Sequence, residues 1–342
     1  MSNFKQKKTN VIIHNLLFNV SLGTLTLFPL GIKATTLIDD SNIGNYTTSG
    51  IDTGLIRDEV VIKTTNNTKP HINSSDKGLA INGRSITVDS TNPFIIQSNS
   101  ANNNNAYYGV YVGAQGNFIS NSDLEINIEK PDAMQSNLYN YRGIYLASTA
   151  NAVLNKNVSI KGSGKGFVGI YAYNSSSNSP TKGEFNGEVS INTSGGESVG
   201  ILTVKSNNPS QLGSVLTFND KVTINTAGKN NKGVYFGTTA FDDSPGDTIE
   251  IKNGFDVTSS NGTPILMTQK GGTLNILGGS NDVSIVSKDH EHYNAIEAQA
   301  GVVNINGKTN IKGDIVAIYN PILNDKGIVN LNLTDGSRLL VQ

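Results

Sequence analysis

A short word, glycine followed by an apolar residue and often a tyrosine, returns along this chain about once every 31 residues. It reads Gly78-Leu79, Gly109-Val110-Tyr111, Gly143-Ile144-Tyr145, Gly169-Ile170-Tyr171, Gly200-Ile201-Leu202 and Gly233-Val234-Tyr235, with gaps of 31, 34, 26, 31 and 33 residues. The series continues with the glycine replaced. Pro264 and Ala295 each follow at a further 31 residues, and a step of 22 reaches Ala317-Ile318-Tyr319. A repeat of this kind means that no single unit buries its own apolar face, and that stacked units share one continuous core.

Each unit carries a second signal, a short stretch that alternates apolar and polar residues. Leu124-Glu125-Ile126-Asn127-Ile128, Val158-Ser159-Ile160, Val189-Ser190-Ile191, Val222-Thr223-Ile224 and Val283-Ser284-Ile285 are examples. A period of two puts every second side chain on one face, so these segments are strands with one buried and one wet side. Val and Ile, which strands favour, fill the buried set. Clusters such as Lys161 to Gly166, Ser194-Gly195-Gly196 and Asn207 to Ser210 separate them and read as turns. The stretch 101–108, with Asn102 to Asn105 in a row, reads as a bulge out of one turn.

The fold expected is therefore all-β, a right-handed parallel β-helix of roughly nine rungs, on the order of 40 to 50 Å long at a strand spacing of about 4.8 Å. A β-sandwich also gives many short strands, but it does not explain one word recurring at this interval. Composition agrees with a β-helix: 36 Gly, 9 Pro, no Trp and 15% charged residues leave little for helices. A net charge of -1 gives no field to draw the chain to nucleic acid, so no nucleic-acid partner is expected. The lack of cysteine excludes disulfides and thiolate chemistry.

Residues 1–34 differ from the rest. Lys5, Lys7 and Lys8 precede an apolar stretch from Val11 to Leu30, and small Ala34 follows, the order of a secretory signal peptide. His14, Asn15, Asn19, Ser21 and Thr24 interrupt the stretch, which suits it poorly to a permanent span. Two parts are expected, a signal peptide over 1–34 and a solenoid over 35–342.

Over residues 45 to 342 the Gly-Ile-Tyr and Val-Ser-Ile words, the Asn/Gly/Ser-rich turns and the missing cysteine resemble the passenger region of a bacterial autotransporter or a related surface adhesin. The resemblance implies a right-handed β-helix at the cell surface or outer membrane, or released outside the cell, serving as a structural stalk or adhesin. It carries no catalytic motif onto any residue. Passengers reach the surface through a membrane barrel of at least eight amphipathic strands of about ten residues. The residues after Leu331 are too few for one, so contact with the outer membrane is expected only through a translocator that this chain does not contain. A truncated reading frame, a passenger fragment and a secreted protein with a separate translocator all remain open.

The census for chemistry returns no catalytic, cofactor-binding or metal-binding residue. Asp242-Asp243-Ser244-Pro245-Gly246-Asp247 is the one dense acidic group and reads as a solvated turn, although paired carboxylates are what a glycosidase needs. His290-Glu291-His292 has the two-residue spacing that lets strand histidines share a metal, without a third ligand, and reads as an exposed polar turn. Gly278-Gly279-Ser280-Asn281-Asp282 lacks the third glycine of a calcium-binding nonapeptide and occurs once.

Tyr111, Tyr145, Tyr171, Tyr235 and Tyr319 stand between apolar positions and are expected on one outward face, in a ladder broken by Leu202, Leu266 and Glu297. Such a row either meets a host-cell or glycan receptor or stabilises its sheet; self-association is a further option. A polysaccharide-degrading β-helix enzyme, lyase or glycosidase, with acids converging from neighbouring rungs, is the alternative to a stalk or adhesin.

Overall fold

The computed structural model describes residues 34–46, 50–56, 58–65, 71–74, 77–98, 107–129, 139–206, 208, 210–238 and 245–341. The expected signal segment lies outside these residues except for Ala34, and so do residues 101–106 of the expected bulge.

The described chain is a parallel β-solenoid. Between the two ends, a turn lays one strand on each of three ladders, as in Asn151–Leu154, Val158–Ser163 and Val168–Asn174. The first ladder is an 11-stranded sheet running from Thr35–Asp39 to Ile328–Leu333. The other two ladders make up an 18-stranded sheet, because Val222–Thr238 and Phe255–Met267 run round the corner between them and belong to both. Parallel neighbours cannot be joined by a hairpin and need a long crossover. Here the other two sides of the turn are the crossover, which is why the words return at about 31 residues.

Register stacks like on like. Val158 pairs with Val189, then Val222, Phe255 and Val283. Ile160 pairs with Ile191, Ile224, Val257 and Ile285 in the same ladder. All of these are buried, in one core that extends from Ile38 to Ile311. Burying an Ile or Phe side chain fully is worth about 1.5–3 kcal/mol, and the columns repeat that gain in each turn. On the first ladder the rings of Phe185 and Phe218 stack with centroids 4.6 Å apart and planes 13° from parallel.

The abundant asparagines form ladders of their own outside the core. Asn155 Nδ2 donates to Asn121 Oδ1 at 2.8 Å, Asn186 to Asn155 at 2.9 Å and Asn219 to Asn186 at 2.5 Å. A second series joins Asn275, Asn304 and Asn330 at 2.8 Å per step. Stacked amides of this kind tie each turn to the next. At one end, Ile43, Tyr46 and Ile56 from two single-turn helices, Ile43–Tyr46 and Thr53–Ile56, pack against the core. Around the last turn Ile318, Leu339 and Leu340 are exposed.

Candidate functional site: an aromatic face on the third ladder

The glycine of each word has a steric cause. A Cβ on Gly169 would lie 2.6 Å from Ile191 Cγ2 in the next turn and 2.6 Å from the carbonyl oxygen of Gly200. Gly109 meets Ile126 Cγ2 at 2.6 Å and Gly143 meets Ile160 Cγ2 at 2.7 Å in the same way. These glycines therefore face the core, and so do the residues that follow them, Val110, Ile144 and Ile170. Two consecutive inward residues kink the strand. The residue before the glycine and the tyrosine two after it are both left on the outside.

That kink assembles the site. Tyr111, Tyr145 and Tyr171 are in register and continue through Leu202, Tyr235, Leu266 and Glu297, as the alternation implies. The rings of Tyr111 and Tyr145 are 5.2 Å apart, and those of Tyr145 and Tyr171 are 5.0 Å apart, edge to face. From the position before the glycine comes Tyr108, 5.6 Å from Tyr111 and 5.4 Å from Tyr145. The equivalent position one turn on is Arg142. Its guanidinium lies 4.1 Å from the Tyr145 ring centroid, 3.9 Å from that of Tyr171 and 5.3 Å from that of Tyr108. Each such contact contributes about 0.5–2 kcal/mol, more as water is excluded.

Lys77 and Lys232 extend the arrangement, with their ammonium groups 5.9 Å from Tyr111 and 5.8 Å from Tyr235. Further along, Val168, Val199 and Leu202 are outward yet buried, packed with Tyr139, Tyr171, Val204 and Tyr235. Tyr139 adopts a left-handed backbone, φ 65°, and its carbonyl accepts from Arg142 Nε at 2.6 Å. Burial pushes the phenols of Tyr139 and Tyr171 up to about 12 and raises those of Tyr111 and Tyr145, so all four stay protonated hydroxyls. The face is thus a strip of partly covered rings around one cation. Among the described residues no carboxylate forms an ion pair with Arg142.

Tyr319 does not join the strip. Val316, not Tyr319, is the partner of Glu297, because Ile315 follows Ile296 after a shortened turn. Tyr319 instead opens a small antiparallel pair with Lys326, and its hydroxyl donates to Asn324 Oδ1 at 2.8 Å. The repeat word in the last turn is Asp314-Ile315-Val316, and the apparent match at Ala317-Ile318-Tyr319 is out of register.

The other candidates separate in the same way. Asp242 and Asp243 lie outside the described residues. Asp247 is not a solvated turn residue: it is 1% exposed. Its Oδ1 accepts from Ser214 N at 2.5 Å, its Oδ2 accepts from Gln269 Nε2 at 2.7 Å, and its own N–H donates to Gln269 Oε1 at 2.6 Å. Burial raises its pKa above the ordinary 3.8 against these hydrogen bonds. This carboxyl ties a corner together and faces no solvent. His290 and His292 sit in a turn, with His292 Nδ1 2.8 Å from Asp289 Oδ1. Among the described residues no group of three His, Asp or Glu is placed to hold a metal ion. A groove of about 640 Å³ on the first ladder is lined by asparagines with Leu277, Lys252 and one carboxylate, Glu250.

Arg142 and Tyr108 are the residues that sequence reasoning missed. Their signal was present, since both directly precede a repeat glycine, but only the kink shows that this position faces outward. Comparison with known protein families, curated proteins and solved structures gives no match.

Proposed function

We propose that this protein is an exported bacterial surface protein of the autotransporter passenger kind, a solenoid stalk that adheres through the aromatic face of its third ladder. The observation that carries the reading is the packed row of Tyr108, Tyr111, Tyr145 and Tyr171 on the outside of a fold whose core is already complete. Aromatic side chains bring large contact areas with a polar tip, and contact surfaces are enriched in them for that reason. Export is supported by the order of lysines, apolar stretch and Ala34 at the start of the chain.

The test is binding to epithelial cells and extracellular matrix by the purified protein and by a triple variant, Tyr111→Ser, Tyr145→Ser and Tyr171→Ser. Loss of binding with an unchanged β-rich circular dichroism spectrum is the expected result. Equal binding by the two folded proteins removes the aromatic face from the function, and a folded parent that binds nothing leaves a passive stalk.

A further inference from the structure

The tyrosine strip holds one cation at its centre, and its surroundings indicate what ligand fits there. The Arg142 guanidinium lies over both the Tyr145 and the Tyr171 ring, 4.1 and 3.9 Å from centroids that are themselves 5.0 Å apart with planes 80° from parallel, so the two rings hold it from one side. One donor, Nε, is satisfied by the Tyr139 carbonyl. A guanidinium offers five N–H donors in a rigid fork that matches a carboxylate bidentately. No carboxylate of the described chain takes that fork. Lys77 and Lys232 stand along the same row, Lys232 with Glu197 near it, which leaves Arg142 as the cation at the centre of the rings.

Around this cation Tyr111, Tyr145 and Tyr171 supply one ring per turn over three successive turns, at centroid distances of 5.2 and 5.0 Å that are close to the strand spacing of about 4.8 Å, with planes tilted by 53° and 80°. A repeated strip suits a linear ligand that itself repeats. An extended peptide is a poorer fit. It would need a free sheet edge, and each third-ladder strand from Lys77–Ile81 to Ile296–Ala298 is paired on both sides.

From this geometry we infer that the face binds a carboxylated saccharide, with a sugar carboxylate on the Arg142 fork and the sugar rings laid against Tyr108, Tyr111 and Tyr145. This rests on the reading above that the third-ladder exterior is the contact face. It adds the ligand class and makes Arg142 the group that selects it.

The experiment measures binding of the full chain to hyaluronan, alginate and sialyllactose oligosaccharides, to the carboxyl-reduced counterpart of each, to dextran sulfate and to an acidic peptide, by calorimetry. At least one carboxylated sugar is expected to bind ten-fold or more tightly than its reduced form, and to weaken with added salt. Arg142→Gln should abolish that preference, while Arg142→Lys should restore only part of it because the charge returns without the fork. The comparison of each sugar with its reduced form is made on the unaltered protein, so it stands even if an Arg142 variant fails to fold.

Equal affinity for carboxylated and reduced forms overturns the inference, as does tighter binding of dextran sulfate or of the acidic peptide. If the triple tyrosine variant loses cell binding while no carboxylated sugar is preferred, the ligand class is wrong and the contact face stands. If that variant binds cells normally, the contact face itself is wrong.

Discussion

Gly169 and Ile191 interlock across adjacent turns: the space a Cβ would take on the glycine is occupied by the Cγ2 of the isoleucine, 2.6 Å away. The two repeat words, one read at glycine and one at isoleucine, are halves of a single contact. The second obstacle to a Cβ is backbone, the Gly200 carbonyl oxygen at 2.6 Å, which cannot turn aside as a side chain would.

Gly169→Ala should therefore destabilise although alanine is the smallest change available. Overpacking of this kind costs about 1–3 kcal/mol. Thermal melting followed by circular dichroism should show a drop of several degrees, and an unchanged melting temperature would mean that the turns separate freely enough to admit a methyl group.

At the stacked pair Phe185 and Phe218, Phe185→Ala removes a fully buried ring and leaves a cavity, a loss of about 3–5 kcal/mol. A solenoid is held by nearest-neighbour contacts, so the damage should stay local. Amide exchange should accelerate in Asn151–Leu154 and Val215–Phe218, the strands on either side, and much less in Val302–Gly307. Uniform acceleration along the chain would show that the turns unfold together and not through nearest-neighbour contacts alone.

Asn186 sits inside its ladder, accepting from Asn219 and donating to Asn155. Asn186→Ala removes two side-chain hydrogen bonds at the surface, and each is worth about 0.5–1.5 kcal/mol net in general, at the low end where water can replace it. A loss of about 1 kcal/mol in urea unfolding is expected. Asn121→Ala, at the ladder's end with one such bond, should cost less.

Asp247 gives the fold a pH dependence whose sign follows from burial. Its carboxyl pKa is raised in the folded chain, so between the unfolded value, about 3.9, and the higher folded one the native state holds a proton that the unfolded state releases. The stabilisation is complete below the unfolded pKa and is lost as pH rises through the folded one. Subtracting the melting temperatures of Asp247→Asn from those of the parent at each pH should give a difference that declines as pH rises through that window. Parallel curves would mean that Ser214 and Gln269 hold the carboxylate ionised.

The fold was legible because its two words are each forced by contact between turns and recur wherever that contact does. The tyrosine row was legible as far as register could be counted. Tyr111, Tyr145, Tyr171 and Tyr235 keep step, whereas the shortened last turn throws Tyr319 out. Arg142 was not legible, since its column reads Tyr108, Arg142, Val168, Val199 and Lys232, with no common chemistry to mark it as outward. Asp247 escapes a sequence reading because an acidic run beside Pro245 and Gly246 looks like a loop, while its burial depends on Gln269 arriving 22 residues later.

The glycine-to-isoleucine interlock reaches one turn and no further, which makes the turns interchangeable parts. Lys182 and Val215 are partners in register, so excising residues 182–214 would put Val215 where Lys182 stood. Val168–Asn174 would then lie beside the segment that ends at Thr238, and Gly169 would meet Ile224 in place of Ile191, as Gly200 does in the intact chain. The new joint would present the same glycine and isoleucine pairing as those at Gly143, Gly169 and Gly200. A rod of this design can change its reach by gaining or losing whole copies of one segment, leaving each surviving joint chemically unaltered, so its length is open to recombination in a way that a closed globular core is not.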